Sequence, residues 1–96
     1  MLQQVTIRSR TDSPLRSLVE IAIRNQLKSL RYSITRTQEQ LAAFEAQFGM
    51  STAEMERRLK SGELTETLDT IDWCMELEAL RLLEEQYTTL SEARID

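Results

Sequence analysis

The sequence predicts an all-α protein: a long helix, a short elbow helix and a third helix folded into an antiparallel helical hairpin that dimerises. Three observations predict it. No Gly or Pro interrupts residues 15 to 48. From Leu27 onward the apolar residues Leu30, Ile34, Leu41, Phe44 and Phe48 recur at alternating steps of three and four, with Thr37 as the one polar interruption, which is the spacing of a coiled-coil seam. From Leu68 to Leu90 apolar residues again follow the helical period, but over an arc too wide for a single neighbour.

Residues 1–13 read as an arm preceding the 14–96 hairpin domain. Val5, Thr6, Ile7 and Arg8 alternate like a short strand, and a lone strand needs a mate from another copy or another protein. A disordered tail is the other reading of the same residues. The pattern resembles the strand of ribbon-helix-helix repressors, but those proteins need two short helices with a turn between them, and no turn signal lies between Pro14 and Phe48. Ser13 and Pro14 form a helix start, Ser as N-cap and Pro at the first helical position, where its missing amide has no partner to lose. The resulting helix of about 35 residues would extend roughly 50 Å.

Gly49 follows as a C-terminal cap. Ser51 and Glu54 then make a capping box, the hydroxyl accepting from the amide three residues on and the carboxylate reaching back to the cap amide. Met50 and Met55 occupy the positions of a hydrophobic staple. The elbow helix should run from Thr52 to about Lys60, with Met55 and Leu59 inward, and end at Gly62. The third helix should start near Thr65 or Thr67 and continue to about Leu90. On it, Leu68, Ile71, Met75, Ala79 and Leu82 form one stripe, while Trp73, Leu77, Leu80, Leu83, Tyr87 and Leu90 widen the arc. One part can cover the first helix, and the rest should meet another chain; which part does which is not decided by the pattern.

Length and charge bound the function. Ninety-six residues make one domain that buries roughly 60 to 65 percent of its unfolded surface, so self-association or a partner is expected. Residues 1 to 36 carry seven basic side chains against two acidic ones, a balance of +5, and the remainder carries five against fourteen, a balance of −9, which together make the net −4. This asymmetry fits two halves that attract each other, or a nucleic-acid-facing arm in which Arg8 and Arg10 would contact the ligand. No apolar run is long enough to span a bilayer and the N-terminal residues lack a signal-peptide core, so a cytoplasmic protein with no membrane partner is expected.

Candidate chemistry is sparse. Histidine is absent, there is no Gly-rich phosphate loop, and the one cysteine, Cys74, has no partner for zinc. The expectation is a non-enzyme without metal or cofactor. Glu63, Glu66, Asp69 and Asp72 approach the start of the third helix, where the helix dipole favours negative charge; the competing readings are an acidic patch for a basic partner and a metal site. Trp73 reads as a core anchor or as an interface hot spot. Arg57, Arg58 and Lys60 form a basic spot on the elbow helix, read as a solvated face or a phosphate contact.

The run Phe48, Gly49, Met50, Ser51, then Glu54, Met55, Glu56, Arg57, Arg58, Leu59, then Gly62, Glu63, Leu64, and finally Asp69, Asp72 and Trp73 resembles a small helical prokaryotic family. Its pattern is aromatic-Gly-Met-Ser, Glu-Phe, Glu-Arg-Phe, Gly-Glu-Leu, Asp, Glu-Trp, and the similarity covers about residues 40 to 90. Met55 and Leu59 replace aromatics, and Asp72 stands where Glu is common. Members of that family are presumed to be antitoxins of toxin–antitoxin pairs. The resemblance therefore implies a chain that neutralises a basic toxin by burying helical surface. Trp73, Leu77, Leu80, Leu83 and Tyr87, with Asp69, Asp72 and Glu63, are the candidate partner-binding residues. A structural coiled-coil homodimer and a DNA-binding regulator using the basic arm are the alternatives.

Overall fold

Residues 4–5 and 12–95 are described by the structure, a computed structural model, with side chains for 14–93. The uninterrupted heptad spacing forms one helix, α1 (Asp12–Phe48), of 37 residues, which sets the 62 Å long dimension of a molecule only 21 and 17 Å across. α1 begins at Asp12 rather than at Pro14, so Pro14 lies in the first turn, where its missing N–H still removes no intrahelical bond. Gly49 adopts φ 63° and ends the helix.

A short helix, α2 (Thr52–Ser61), turns the chain back. Ser51 caps it, its hydroxyl accepting from the Glu54 amide at 3.1 Å. The second half of the expected capping box is absent. The Glu54 carboxylate points instead to Arg57 and Arg58, at 2.7 and 2.8 Å. The first-turn amide of Thr52 donates to the carboxylate of Glu45 on α1 at 2.7 Å, which pins the elbow to the long helix. Gly62, at φ 81°, closes α2, and the Leu64 amide donates to the Arg58 carbonyl at 3.1 Å.

The third helix, α3 (Leu68–Ser91), starts from a reciprocal cap that the sequence reading did not single out. The Thr67 amide donates to Thr70 Oγ1 at 2.7 Å, while the Thr70 amide donates to Thr67 Oγ1 at 3.2 Å. Thr70 is accordingly buried. α3 packs on α1 as the expected hairpin, and two contacts fix the antiparallel sense: Trp73 meets Phe44 and Phe48, whereas Tyr87 meets Arg31. The predicted seam is the one used, since Leu30, Thr37 and Leu41 are buried and Leu27, Ile34, Phe44 and Phe48 are half-buried.

The best-buried part of the core lies at the elbow end. Trp73 is fully buried, its ring stacked on Phe44 (centroids 5.6 Å apart, planes 8° apart) and on Phe48 (5.4 Å, 24°). Its indole N–H donates to the Thr52 hydroxyl at 2.9 Å. Met55, Leu41 and the half-buried Met50, Leu59, Leu64, Leu77 and Leu80 complete the cluster, so both members of the predicted staple join it. Of the arm, Gln4–Val5 (β1) pairs in parallel with Arg94–Ile95 (β2) of the same chain, and Thr6 and Ile7 of the expected strand lie outside the described residues. Arg8 and Arg10 lie outside the described residues.

Replacing Trp73 by Ala removes both stacks and leaves a large cavity, at a cost of about 3–5 kcal/mol. Against a total of about 5–15 kcal/mol for a domain, urea unfolding of Trp73→Ala should show a largely or wholly unfolded chain. Thr52→Val strands the buried indole N–H and should cost about 1–3 kcal/mol; an unchanged midpoint in that variant would show that the bond contributes nothing.

Candidate partner-binding face

The wide apolar arc of α3 resolves into two stripes on opposite sides of the helix. At 100° per residue, Trp73, Leu80 and Tyr87 point within about 40° of one another, flanked by Leu77 and Leu83, and this side meets α1. Leu68, Ile71, Met75 and Leu82 cluster about 150° away. They are 81%, 38%, 64% and 56% exposed, an apolar seam on the outside of the helix with the smaller Ala79 in the turn between Met75 and Leu82. Half-buried Ala79 and Cys74 line the same shallow groove, between Glu66 and Glu78.

This placement sorts the candidate residues. Trp73 has no exposed surface and stands inside the chain, so in this fold it is the core anchor and offers nothing to a partner. Leu77 and Leu80 pack against the same cluster, and Leu83 is half-buried. Tyr87 accepts a hydrogen bond from Arg31 at 3.1 Å, with the guanidinium 5.8 Å from the ring centroid. Among the acidic candidates, Asp69 and Asp72 are exposed on the first turns of α3. Glu63 is held by Arg57 at 3.2 Å, and that bond lowers its pKa. Helical spacing had picked out the outer stripe in the sequence; missing was any indication of which stripe α1 would cover.

The electrostatics of the groove are negative. Burial pushes the Cys74 thiol pKa up, and the nearby charges of Glu56, Glu66 and Glu78 push it further. Its Sγ lies 3.8 Å from Met55 Sδ, on the core side of the groove. Arg81 is bound to Glu56 at 3.1 Å and to Glu78 at 2.8 Å, which ties α2 to α3. The basic spot of α2 is likewise engaged, Arg57 by Glu54 and Glu63 and Arg58 by Glu54. Among the described residues no group of three or more His, Cys, Asp or Glu side chains is placed to hold a metal ion, and no helix is long and apolar enough to cross a membrane.

No family model, curated protein or solved structure matches this chain.

One titration follows from these ion pairs. Hydrogen bonds from Arg57 and then Arg58 hold the Glu54 carboxyl at about 2, below its ordinary 4.5. A carboxyl depressed in the folded state stabilises it above the ordinary pKa and ceases to do so as pH falls through the lower one. Melting temperature should therefore drop between pH 4.5 and 2. Glu54→Gln should flatten that drop, and added salt should shrink the difference because the pairs are exposed. Identical pH profiles for the two proteins would remove Glu54 from the acid response.

Proposed function

We propose that this chain is a non-enzymatic, partner-binding helical hairpin of the cytoplasm, the antitoxin half of a toxin–antitoxin pair. The observation that carries the partner-binding part is the outer stripe of α3: four large apolar residues within four turns, on the side away from α1, all exposed. Burying such a stripe yields about 25 cal/mol per Å² of apolar surface, available only when another surface closes over it. The acidic residues beside it would speed encounter with a basic partner and disfavour an acidic one.

The antitoxin part is supported by the resemblance of residues 40 to 90, and the fold gives those residues a physical meaning. Gly49 and Gly62 take left-handed conformations at the two ends of the elbow, Ser51 caps α2, and Trp73 is the anchor between helices. They are the residues that bend the chain and lock the hairpin, so the shared pattern specifies a scaffold. The face the scaffold presents is then available to differ from one partner to the next.

Expression of the tagged full-length protein together with its native flanking genes tests the proposal. A neighbour should co-purify near stoichiometrically and arrest growth when expressed alone, and Met75→Lys should reduce its capture by about tenfold or more, the scale of one interface hot spot. Recovery of the protein by itself, beside neighbours that are harmless alone, would overturn the antitoxin reading in favour of a self-associating module.

A further inference from the structure

The exposed seam of α3 has a length, a spacing and a charged border, and together these select one kind of occupant. From Leu68 to Leu82 it covers four turns, about 21 Å at 1.5 Å per residue. Its apolar side chains step by three, four and seven residues, the pattern that accepts the knobs of a neighbouring helix lying along α3. Met75 at its centre is unbranched and can adjust to the shape of an incoming side chain. The ionisable residues beside the seam are Glu66, Asp72, Glu78 and Glu85, against the single cation Arg81, which Glu56 and Glu78 already engage.

We propose that this seam receives one amphipathic helix of a different protein, with apolar residues at three-four spacing and Lys or Arg along both edges, lying beside α3 over about four turns. The proposal rests on the partner-binding reading above and names the chemistry of that partner.

A second copy of the chain fits less well in either arrangement. Laying α3 on α3 sets acidic border against acidic border, which is repulsive along its whole length. Laying the back of α1 on α3 matches charge better, because Leu18, Ile21 and Tyr32 are exposed there beside Lys28. That contact uses opposite sides of the hairpin, though, so it repeats head to tail and does not close into a dimer.

The test uses the full-length protein in two measurements. Sedimentation velocity across a concentration series should show a monomer with no open-ended growth. NMR titration then uses two synthetic peptides of about three heptads with Leu at a and d, one with Lys at e and g and the other with Glu. The Lys-edged peptide should shift resonances of Ile71, Met75, Ala79 and Leu82, bind at least about tenfold tighter than its Glu-edged twin, and weaken with salt. Glu78→Lys combined with Asp72→Lys should invert that preference. Met75→Lys should abolish binding while leaving the melting temperature unchanged, since the side chain is 64% exposed.

Equal binding of both peptides, shifts confined to other surfaces, or a wild-type dimer or chain of copies that Met75→Lys dissolves would each overturn the basic-helix occupant. The two readings fail separately. If neither peptide binds but Met75→Lys still abolishes capture of the co-expressed neighbour, the seam binds a partner of other chemistry. If capture survives that substitution, the seam is not the partner site.

Discussion

The stack of Trp73 between Phe44 and Phe48 is the contact on which the hairpin depends. It joins the C-terminal end of α1 to the first turns of α3, and through the indole bond to Thr52 it also holds the start of α2. Three helices are thereby tied at one point. Elsewhere α1 and α3 pack along their facing sides, with no third layer behind them among the described residues. A long thin molecule concentrates its cohesion where it can enclose side chains completely, and among the described residues that happens at the elbow. Trp73, Met55 and Thr70, the most buried residues, all lie within or beside that elbow.

That geometry explains why α3 carries more apolar surface than the chain can cover. A two-helix arrangement buries one side of each helix and leaves the opposite side to solvent, whatever its composition. In α1 the far side is mostly polar or charged, with Leu18, Ile21 and Tyr32 interspersed; in α3 it is a continuous apolar row. The two outer faces therefore differ in kind: apolar side chains are scattered on the far side of α1 and aligned on that of α3. The ion pairs reinforce the distinction. Those among Glu54, Glu56, Arg57, Arg58, Glu63 and Arg81 tie α2 together and join it to α3, while Glu66 lines the open groove.

Much of the fold was legible because its signals are local. Ser51 and Gly62 set the ends of α2, Gly49 ended α1, and the heptad spacing from Leu27 to Phe48 identified the seam that packs on α3. Where the structure departs from the reading, a side chain had several possible partners and spacing alone did not choose among them. Glu54 was expected to close the capping box but turns to two arginines on its own helix, while Glu45 from the preceding helix accepts from a different first-turn amide, that of Thr52. Thr70 was not singled out in the sequence, and its exchange of bonds with Thr67, three residues before it, makes it a buried cap. For β1, the alternating residues were visible, but nothing local could name Arg94–Ile95, ninety positions away, as the mate.

The division at the candidate site has the same cause. By itself the sequence determined three helices, their caps and breaks, a bent topology and an apolar arc on α3 too broad for one neighbour, because each of these follows from spacing and side-chain type within a few turns. Only the tertiary structure decided that Trp73, Leu80 and Tyr87 turn toward α1 and that Leu68, Ile71, Met75 and Leu82 are left outside. Two stripes of similar hydrophobicity on one helix are equivalent until another element selects between them. Here the aromatic pair Phe44 and Phe48 makes the selection, because the fully buried indole fits between them with its N–H satisfied by Thr52, and no such partner exists among the described residues for the opposite side.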